Sequence, residues 1–441
     1  MKKNKRFFIL TAQFPPDTIV GGIRLFRLSK VLGRSGYSVV VITKKNSYEN
    51  AKNFVYLNQL SHGTEIHYIK TKEKIIINNR EIDNLWKSGG EKVLPKIVRR
   101  LKGNIIEILE KITIPDIGIF SIPWYVLKTI QLYDDEYDNY LLTSSPPHSI
   151  HIAGLIISKL KKYSSWIVDF RDPWDKGAKK NHSPILNPIE KFLKNKIVKR
   201  SDKIISSTIT FTNDLIYEYP KLHKKFHTIT NSYDHECIPL SFKKSDEKFV
   251  VIYPGIFYHE KNPYGIFRAI HDWFISMTKE EEELYKSKII IELIGSRTRF
   301  LETLINDLNL NANVKFSDRI SQSEVYQKIK NADLGLISTG FSERKGCLPA
   351  KIFDYLGCRI PIIALAPEGE VTDLIYNTKS GYVIKENELS TIRSIFKSEI
   401  DYKFYNGKRI NSILFENIEH YESSNLMARM VLIIDANCGT K

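Results

Sequence analysis

The sequence predicts an α/β protein of two units, each a parallel sheet with helices on its faces. Three observations carry this expectation. The chain has 441 residues, too many for one ordinary core and enough for two or three domains. Apolar runs of strand length alternate with stretches of helical spacing along most of it. A polar stretch, 231–248, breaks that rhythm before it restarts.

In order, Phe7–Ala12 is a continuous apolar run and reads as a first buried strand. A loop with Pro15, Pro16, Gly21 and Gly22 follows, then Ile23–Leu32 at helical spacing, closed by Gly33 and Gly36. Ser38–Thr43 is the next strand and completes a strand–helix–strand unit. Further strands are expected at Tyr140–Ser144, Trp166–Asp169, Lys203–Ser207 and His227–Thr230. After the polar stretch come strand Phe249–Tyr253, a helix near Pro263–Ser276, strand Ile289–Ile294, helix Arg299–Leu308 and strand Val314–Phe316. Helix Ser323–Asn331, strand Leu334–Ile337, helix Pro349–Leu356 and strand Ile360–Ala366 continue the second series. The expected division is 1–230, a linker at 231–248, and 249–417. A last helical stretch, about 418–441, suits either half, with packing back on the first as the option carried forward.

Residues 60–130 fit this scheme less well. Within them Leu94, Val98, Leu101, Ile105, Ile108 and Ile112 keep helical spacing, while Lys96, Arg99, Arg100 and Lys102 crowd the same turns. A basic amphipathic helix over about 94–112 suits an anionic membrane surface; it is equally an ordinary helix with a solvated basic face.

Hydrophobic residues make up 42% and charged residues 26%, a balance of folded globular proteins and not of disordered ones. No apolar run approaches the ~18–20 residues of a membrane span. The basic start, Met1 to Arg6, has the charge of a secretory leader, but the apolar stretch behind it is short and ends at Gln13, Pro15 and Pro16. Cys237, Cys347, Cys358 and Cys438 are scattered with no C-x-x-C pair, which argues against a zinc site or a disulfide framework. A cytoplasmic setting is expected, with peripheral attachment to the membrane face as an extension of it. The net charge of +16 favours polyanionic partners: nucleic acid, an anionic membrane or phosphorylated ligands. The lysines are dispersed and not interleaved with aromatic residues in one stripe, so nucleic acid is not the expected partner.

Several common sites are absent. The chain has no G-x-x-x-x-G-K-[ST] phosphate loop, no G-x-G-x-x-G, no H-E-x-x-H, no G-x-S-x-G and no D-x-D. Three subtler features remain. Gly21-Gly22 stand just before a helix, where main-chain amides can approach an anion, and Arg24 in that first turn is disfavoured by the helix dipole unless an anion compensates it. Tyr253-Pro254-Gly255 leads to Lys261 in a strand-to-helix loop, where a lysine can neutralise a phosphate. Pro349 suits a helix start, and Lys351 and Asp354 share one face of that helix, the acid placed to accept from ribose hydroxyls; a plain surface ion pair is the other reading.

These features resemble, in order and spacing, the GT-B glycosyltransferases, in particular the retaining family-4 type with two Rossmann-like domains facing each other across a cleft. The resemblance runs from Phe14-Pro15-Pro16 and Gly21-Gly22 through Trp166–Trp174, Asn231–Asp234 and Gly255…Lys261 to Lys351…Asp354…Pro361. It implies a nucleoside-diphosphate sugar donor bound by the C-terminal domain, with Lys261 on the diphosphate and Asp354 on the ribose. It also implies a Gly21-Gly22-Arg24 helix start facing that diphosphate, no cofactor and no metal. The chain departs from the family at Ile256, where an arginine is usual, and at Gly346, where the first of two glutamates would stand; Glu343 is a nearby substitute. Lys351 matches a subgroup with Pro-x-Lys before the ribose-binding acid.

In the N-terminal half, His148 after Pro146-Pro147 is the candidate to orient an acceptor hydroxyl, with His151 expected to pack inward. Asp169, Arg171 and Asp172 are expected as an ion-pair network, and Asp172 as a second catalytic candidate. The implied reaction is retaining transfer of a sugar to a hydroxyl of a cell-surface glycan, carried on a lipid. A sugar-nucleotide epimerase of the same fold, and a non-enzymatic nucleic-acid- or membrane-binding protein, are the alternatives.

Overall fold

Every strand predicted from the apolar runs is present, within a residue or two at most ends. The computed structural model describes residues 3–16, 20–44, 54–69, 111–174, 183–257, 261–339, 346–385, 388 and 390–436; side chains at 54–56 and 261–263 are not described. The chain divides into two compact units, one of residues up to 229 with 427–441, the other 230–426.

The first unit holds β1 (Lys5–Thr11), α1 (Val20–Arg34), β2 (Ser38–Lys44), β3 (Thr64–Ile69), α2 (Ile122–Leu132), β4 (Asp138–Ser145) and α3 (Ile150–Leu160). It continues with β5 (Ser165–Phe170), α4 (Asn187–Arg200), β6 (Lys203–Ser206), α5 (Ile209–Glu218) and β7 (Phe226–Thr228). Its seven strands are all parallel, in the order β3-β2-β1-β4-β5-β6-β7. The second unit holds β8 (Phe249–Pro254), α6 (Lys261–Ile275), α7 (Lys279–Lys288), β9 (Ile289–Ile294), α8 (Arg299–Asp307), β10 (Val314–Ser317) and α9 (Gln322–Asn331). After these come β11 (Leu334–Ser338), α10 (Lys351–Cys358), β12 (Ile362–Leu365), α11 (Glu370–Thr378), β13 (Gly381–Ile384) and α12 (Thr391–Phe404). Its six strands are parallel in the order β10-β9-β8-β11-β12-β13.

Strand periodicity explains why each sheet is covered twice. Along β1, Phe8 and Leu10 enter a core with α2, α3, α4 and α5, while Phe7 turns to the other face and stacks on Tyr140. In β8, Phe249, Val251 and Tyr253 pack against α6, α8 and α12, and Ile252 faces α9, α10 and α11. Strands buried on both faces read as continuous apolar runs, which is why they were visible in the sequence. The edge strands β3 and β13 were not, because Thr64–Ile69 is mostly half-exposed and Gly381–Ile384 alternates half-exposed and buried positions.

The chain closes with α13 (Ser423–Asp435). Met427, Met430 and Ile434 are buried, and Asp435 accepts from Lys5 Nζ at 2.9 Å and the Tyr37 hydroxyl at 2.5 Å. Burial and that carboxylate push the Tyr37 phenol up to about 12. The basic helix expected over 94–112 lies, but for its last two residues, outside the described residues. In both sheets the strand order reverses beside the first strand, between β1 and β4 and between β8 and β11. Sheets of this kind present ligand-binding loops at the carboxyl ends of the strands flanking that point.

Candidate active site

In the first unit, Arg24 is buried in α1. Its guanidinium donates to both oxygens of Asp169, at 3.2 and 3.4 Å, and to the Ile229 carbonyl at 2.9 Å. Asp169 also accepts from the Ser144 hydroxyl at 2.7 Å. The anion that offsets Arg24 at the positive helix end is therefore a carboxylate of the chain itself, which corrects the expectation of an Arg24 facing a donor.

The guanidinium over the start of α1 belongs to Arg171. Its Nε donates to the Ser145 carbonyl at 2.8 Å and its Nη2 to the Pro146 carbonyl at 3.0 Å. Its Nη1 lies 1.0 Å from where a Cβ would stand on Gly21, so that position must be glycine for Arg171 to lie there. A Cβ on Gly22 would stand 3.1 Å from the main-chain nitrogen of Phe14. The expected network is thus divided: Asp169 serves Arg24, Arg171 is held by carbonyls, and Asp172 is exposed at the same edge. Burial lowers the Arg171 pKa, opposed by the charges of Asp169 and Asp172.

His148 is half-buried and stacks on Trp174, with ring centroids 4.8 Å apart and planes at 29°. His151, the second residue of α3, is fully buried with Nδ1 2.8 Å from Thr143 Oγ1. That oxygen also accepts from the Trp166 indole at 3.2 Å, which joins His151 to Trp166 through one buried hydroxyl. Burial, then His148 and Arg171, hold the His151 pKa well below its usual value. His151 is part of the core, and His148 is the histidine available at the edge. The loop that carries it is anchored by Asp116, which accepts from the Ser149 amide at 3.1 Å and the Gly118 amide at 2.9 Å.

In the second unit, Gly255 follows β8 at φ +117°, a region open to glycine. Its amide donates to the Ile294 carbonyl at 2.9 Å, and its carbonyl accepts from the Ser296 hydroxyl. Lys351, first residue of α10, reaches over this loop: its Nζ would stand 3.1 Å from a Cβ on Gly255 and lies 3.2 Å from the centroid of the Tyr253 ring. The other face of Tyr253 stacks on Phe257 at 3.9 Å and 3°. Among the described residues no hydrogen-bond acceptor meets Nζ; the ring face and the charge of Asp354 are what stabilise it. Burial drives the Lys351 pKa well below its usual value, with Asp354 opposing.

Asp354 Oδ1 accepts from the Tyr326 hydroxyl at 2.9 Å. Tyr355, the next residue, donates to the carbonyls of Ile252 and Leu336 at 3.0 and 3.1 Å, which ties α10 to β8 and β11 at the switch point. Its ring fills the space over Gly335, where a Cβ would meet it at 2.7 Å. This lock sets the face of α10 on which Lys351 and Asp354 lie.

Of the expected donor residues, Lys351 and Asp354 come together at the switch point of the second sheet, and Gly21 and Gly22 lie at that of the first. Lys261 opens α6, but its side chain lies outside the described residues, as does Glu343. The residues missed are Arg171, read only as an ion-pair member, and Tyr253, whose aromatic face supports Lys351. The signal for Tyr253 was its place as the last aromatic before Pro254-Gly255. Among the described residues, Asp234, His235 and Glu422 form one group of potential metal ligands. Glu422, however, already accepts from His235 at 2.9 Å and from the amide of Ser424 at 2.6 Å, where it starts α13.

Residues 237–399, all within the second unit, match the family model for glycosyl transferases group 1. The solved structure of sucrose-phosphate synthase from Thermosynechococcus elongatus is similar at a TM-score of 0.63, with 12% identity over 98% of both chains. A glycosyltransferase from Rickettsia africae ESF-5 is similar at 0.60 and 13% identity, over 98% of this chain and 97% of that one. WaaG, a glycosyltransferase involved in lipopolysaccharide biosynthesis, is similar at 0.56 and 10% identity, over 98% of this chain and all of that one. No curated protein sequence matches the chain. At these identities the likeness is one of fold, and the fold is GT-B.

Proposed function

We propose that the chain is a glycosyltransferase that moves a sugar from a nucleoside diphosphate to a hydroxyl of a glycan acceptor, with retention at the anomeric carbon. The observation that carries this reading is Lys351: an ammonium without a hydrogen-bond acceptor among the described residues, held over Tyr253 beside Gly255, three residues before Asp354, within the family-matched segment. The second unit would hold the donor, Asp354 accepting from ribose hydroxyls and Lys351 meeting the diphosphate. Lys261 joins it from the start of α6.

As the bond from the anomeric carbon to the diphosphate oxygen breaks, negative charge grows on the phosphate. A preorganised ammonium in a dry setting stabilises that charge more than the ground state, which is where acceleration arises. The acceptor oxygen bonds the anomeric carbon, and its proton ends on the departing phosphate. His148, at the carboxyl edge of the first unit, orients that hydroxyl, with Asp172 beside it. With lysines and helix ends supplying positive charge, and no D-x-D in the sequence, the reaction is read as metal-independent. A lipid-linked acceptor in cell-surface polysaccharide assembly is the substrate class that suits the basic chain, and the likeness to WaaG points the same way.

The test is thermal stabilisation by UDP, GDP, CDP and ADP without added metal. One nucleotide is expected to raise the midpoint by a few degrees, and Lys351→Met and Asp354→Ala to abolish that shift. No shift with any nucleotide overturns the reading. Release of free sugar without acceptor would favour an epimerase.

A further inference from the structure

One helix of the first unit buries charged side chains alongside the ordinary core residues Ile197 and Val198, and exposes large apolar ones. In α4, Glu190 and Lys194 are each only 3% exposed. Glu190 accepts from the Trp174 indole at 3.0 Å, and Lys194 pairs with Glu218 at 2.5 Å beside the Tyr219 ring. Meanwhile Ile185, just before the helix, and Ile189 and Phe192 within it are 85%, 51% and 57% exposed, at the i, i+4, i+7 spacing of one helical stripe. Burying two charges and exposing three large apolar side chains is unfavourable on both counts in water. The arrangement makes sense where the outward stripe meets a second phase.

Exposed apolar side chains also stand on a helix of the same layer. α3 packs against both α4 and α2, and the amide of Ser183 donates to the Lys111 carbonyl at 3.0 Å, joining the segments that lead into α4 and α2. Phe120, just before α2, and Trp124 and Leu127 within it are exposed. Helices that connect parallel strands run against them, so the N-terminal ends of α2 and α4 share the carboxyl edge of the sheet, where His148 and Arg171 stand.

Charge selects the partner. α2, α3 and α4 contain a single carboxylate, Glu190, and it is buried. The charges they expose are basic: Lys159 on α3, and Lys191, Lys196, Lys199 and Arg200 on α4. A second copy of this chain would bring like charges together. Aromatic and aliphatic side chains at interface depth, on three helices whose exposed charges are basic, match an anionic bilayer surface.

We propose that the α2–α3–α4 face of the first unit docks on an anionic lipid bilayer. The apolar stripe Ile185, Ile189 and Phe192 lies outside the basic stretch 94–112 in the sequence, and the proposal stands independently of the sugar-transfer reading, because vesicle binding needs no turnover. The full-length protein is expected to cosediment with phosphatidylcholine vesicles containing phosphatidylglycerol, and far less with phosphatidylcholine alone. Ile189→Ser with Phe192→Ser should lower the partition about tenfold, and Lys191→Glu with Lys196→Glu at least about tenfold. Leu284→Ser, an exposed apolar residue of α7 in the second unit, should bind as the parent does. Unfolding midpoints and nucleotide-induced shifts should be unchanged in the α4 variants, which separates this result from that of the donor site. Binding by the α4 variants equal to the parent's overturns the proposal. So does a concentration-dependent dimer that Phe192→Ser dissolves while vesicle binding persists.

Discussion

Arg24 and Lys351 are both buried or half-buried cations near the switch point of a parallel sheet, and they are treated in opposite ways. Arg24 is completed from within by Asp169 and the Ile229 carbonyl. Lys351 has an aromatic face beneath it, a carboxylate three residues on, and no acceptor at its Nζ among the described residues. A cation whose hydrogen bonds are filled by the protein is scaffold. One kept desolvated with its donors unfilled is poised for an anion from outside, and it lowers the stability of the empty protein.

The largest expected effect follows from the completed pair. Arg24→Ala leaves Asp169 buried without its cation and should destabilise the first unit by about 3–5 kcal/mol, read from urea denaturation. A loss under about 1 kcal/mol would remove the scaffold role. Lys351→Met is the reverse case: nucleotide affinity should fall at least about tenfold, roughly 1.4 kcal/mol, while the empty protein is as stable as before or more so.

That contrast sharpens with pH. The folded pKa of Lys351 lies below its usual 10.5, so between those two values the unfolded chain binds more protons than the folded one. Stability of the ligand-free protein should therefore rise with pH across that window, and Lys351→Met should flatten the rise. Nucleotide affinity should move the other way, falling as pH climbs through the folded pKa and the ammonium is lost. A lysine with an ordinary pKa would leave stability flat below 10.5 and lose nucleotide affinity only near that value.

Gly21→Ala probes the cation that replaced Arg24 at the helix start. The added Cβ collides with the Arg171 guanidinium, so that side chain must move, with transfer slowed several-fold and little change in unfolding midpoint. The smallest effect is expected from Tyr326→Phe. It removes one hydrogen bond to Asp354, worth about 0.5–1.5 kcal/mol, and should weaken nucleotide binding a few-fold without touching its base preference.

Most of the architecture was legible because its strands are buried on both faces and so read as unbroken apolar runs: Phe7–Leu10, Val39–Ile42 and Leu334–Ile337 could be little else. Thr64–Ile69 escaped because half of an edge strand is wet and its composition looks like loop. Lys351 and Asp354 were legible because a proline-led helix start is a local pattern. Tyr253 and Lys351 are 98 positions apart, and no local pattern joins them. The local pattern of 187–200 does not tell which face of α4 lies inward; Trp174 and Glu218, brought beside it by the fold, show it.

By itself, then, the sequence determined what local forces decide: where strands and helices lie, that two parallel α/β units follow one another, and which short segments resemble a nucleotide-sugar site. The tertiary structure decided which charges are satisfied. It assigned Asp169 to Arg24, Arg171 to the space over Gly21, and an aromatic ring to Lys351. The physical reason is that a charge's fate depends on what surrounds it in space, and those neighbours come from strands and helices far apart in the chain.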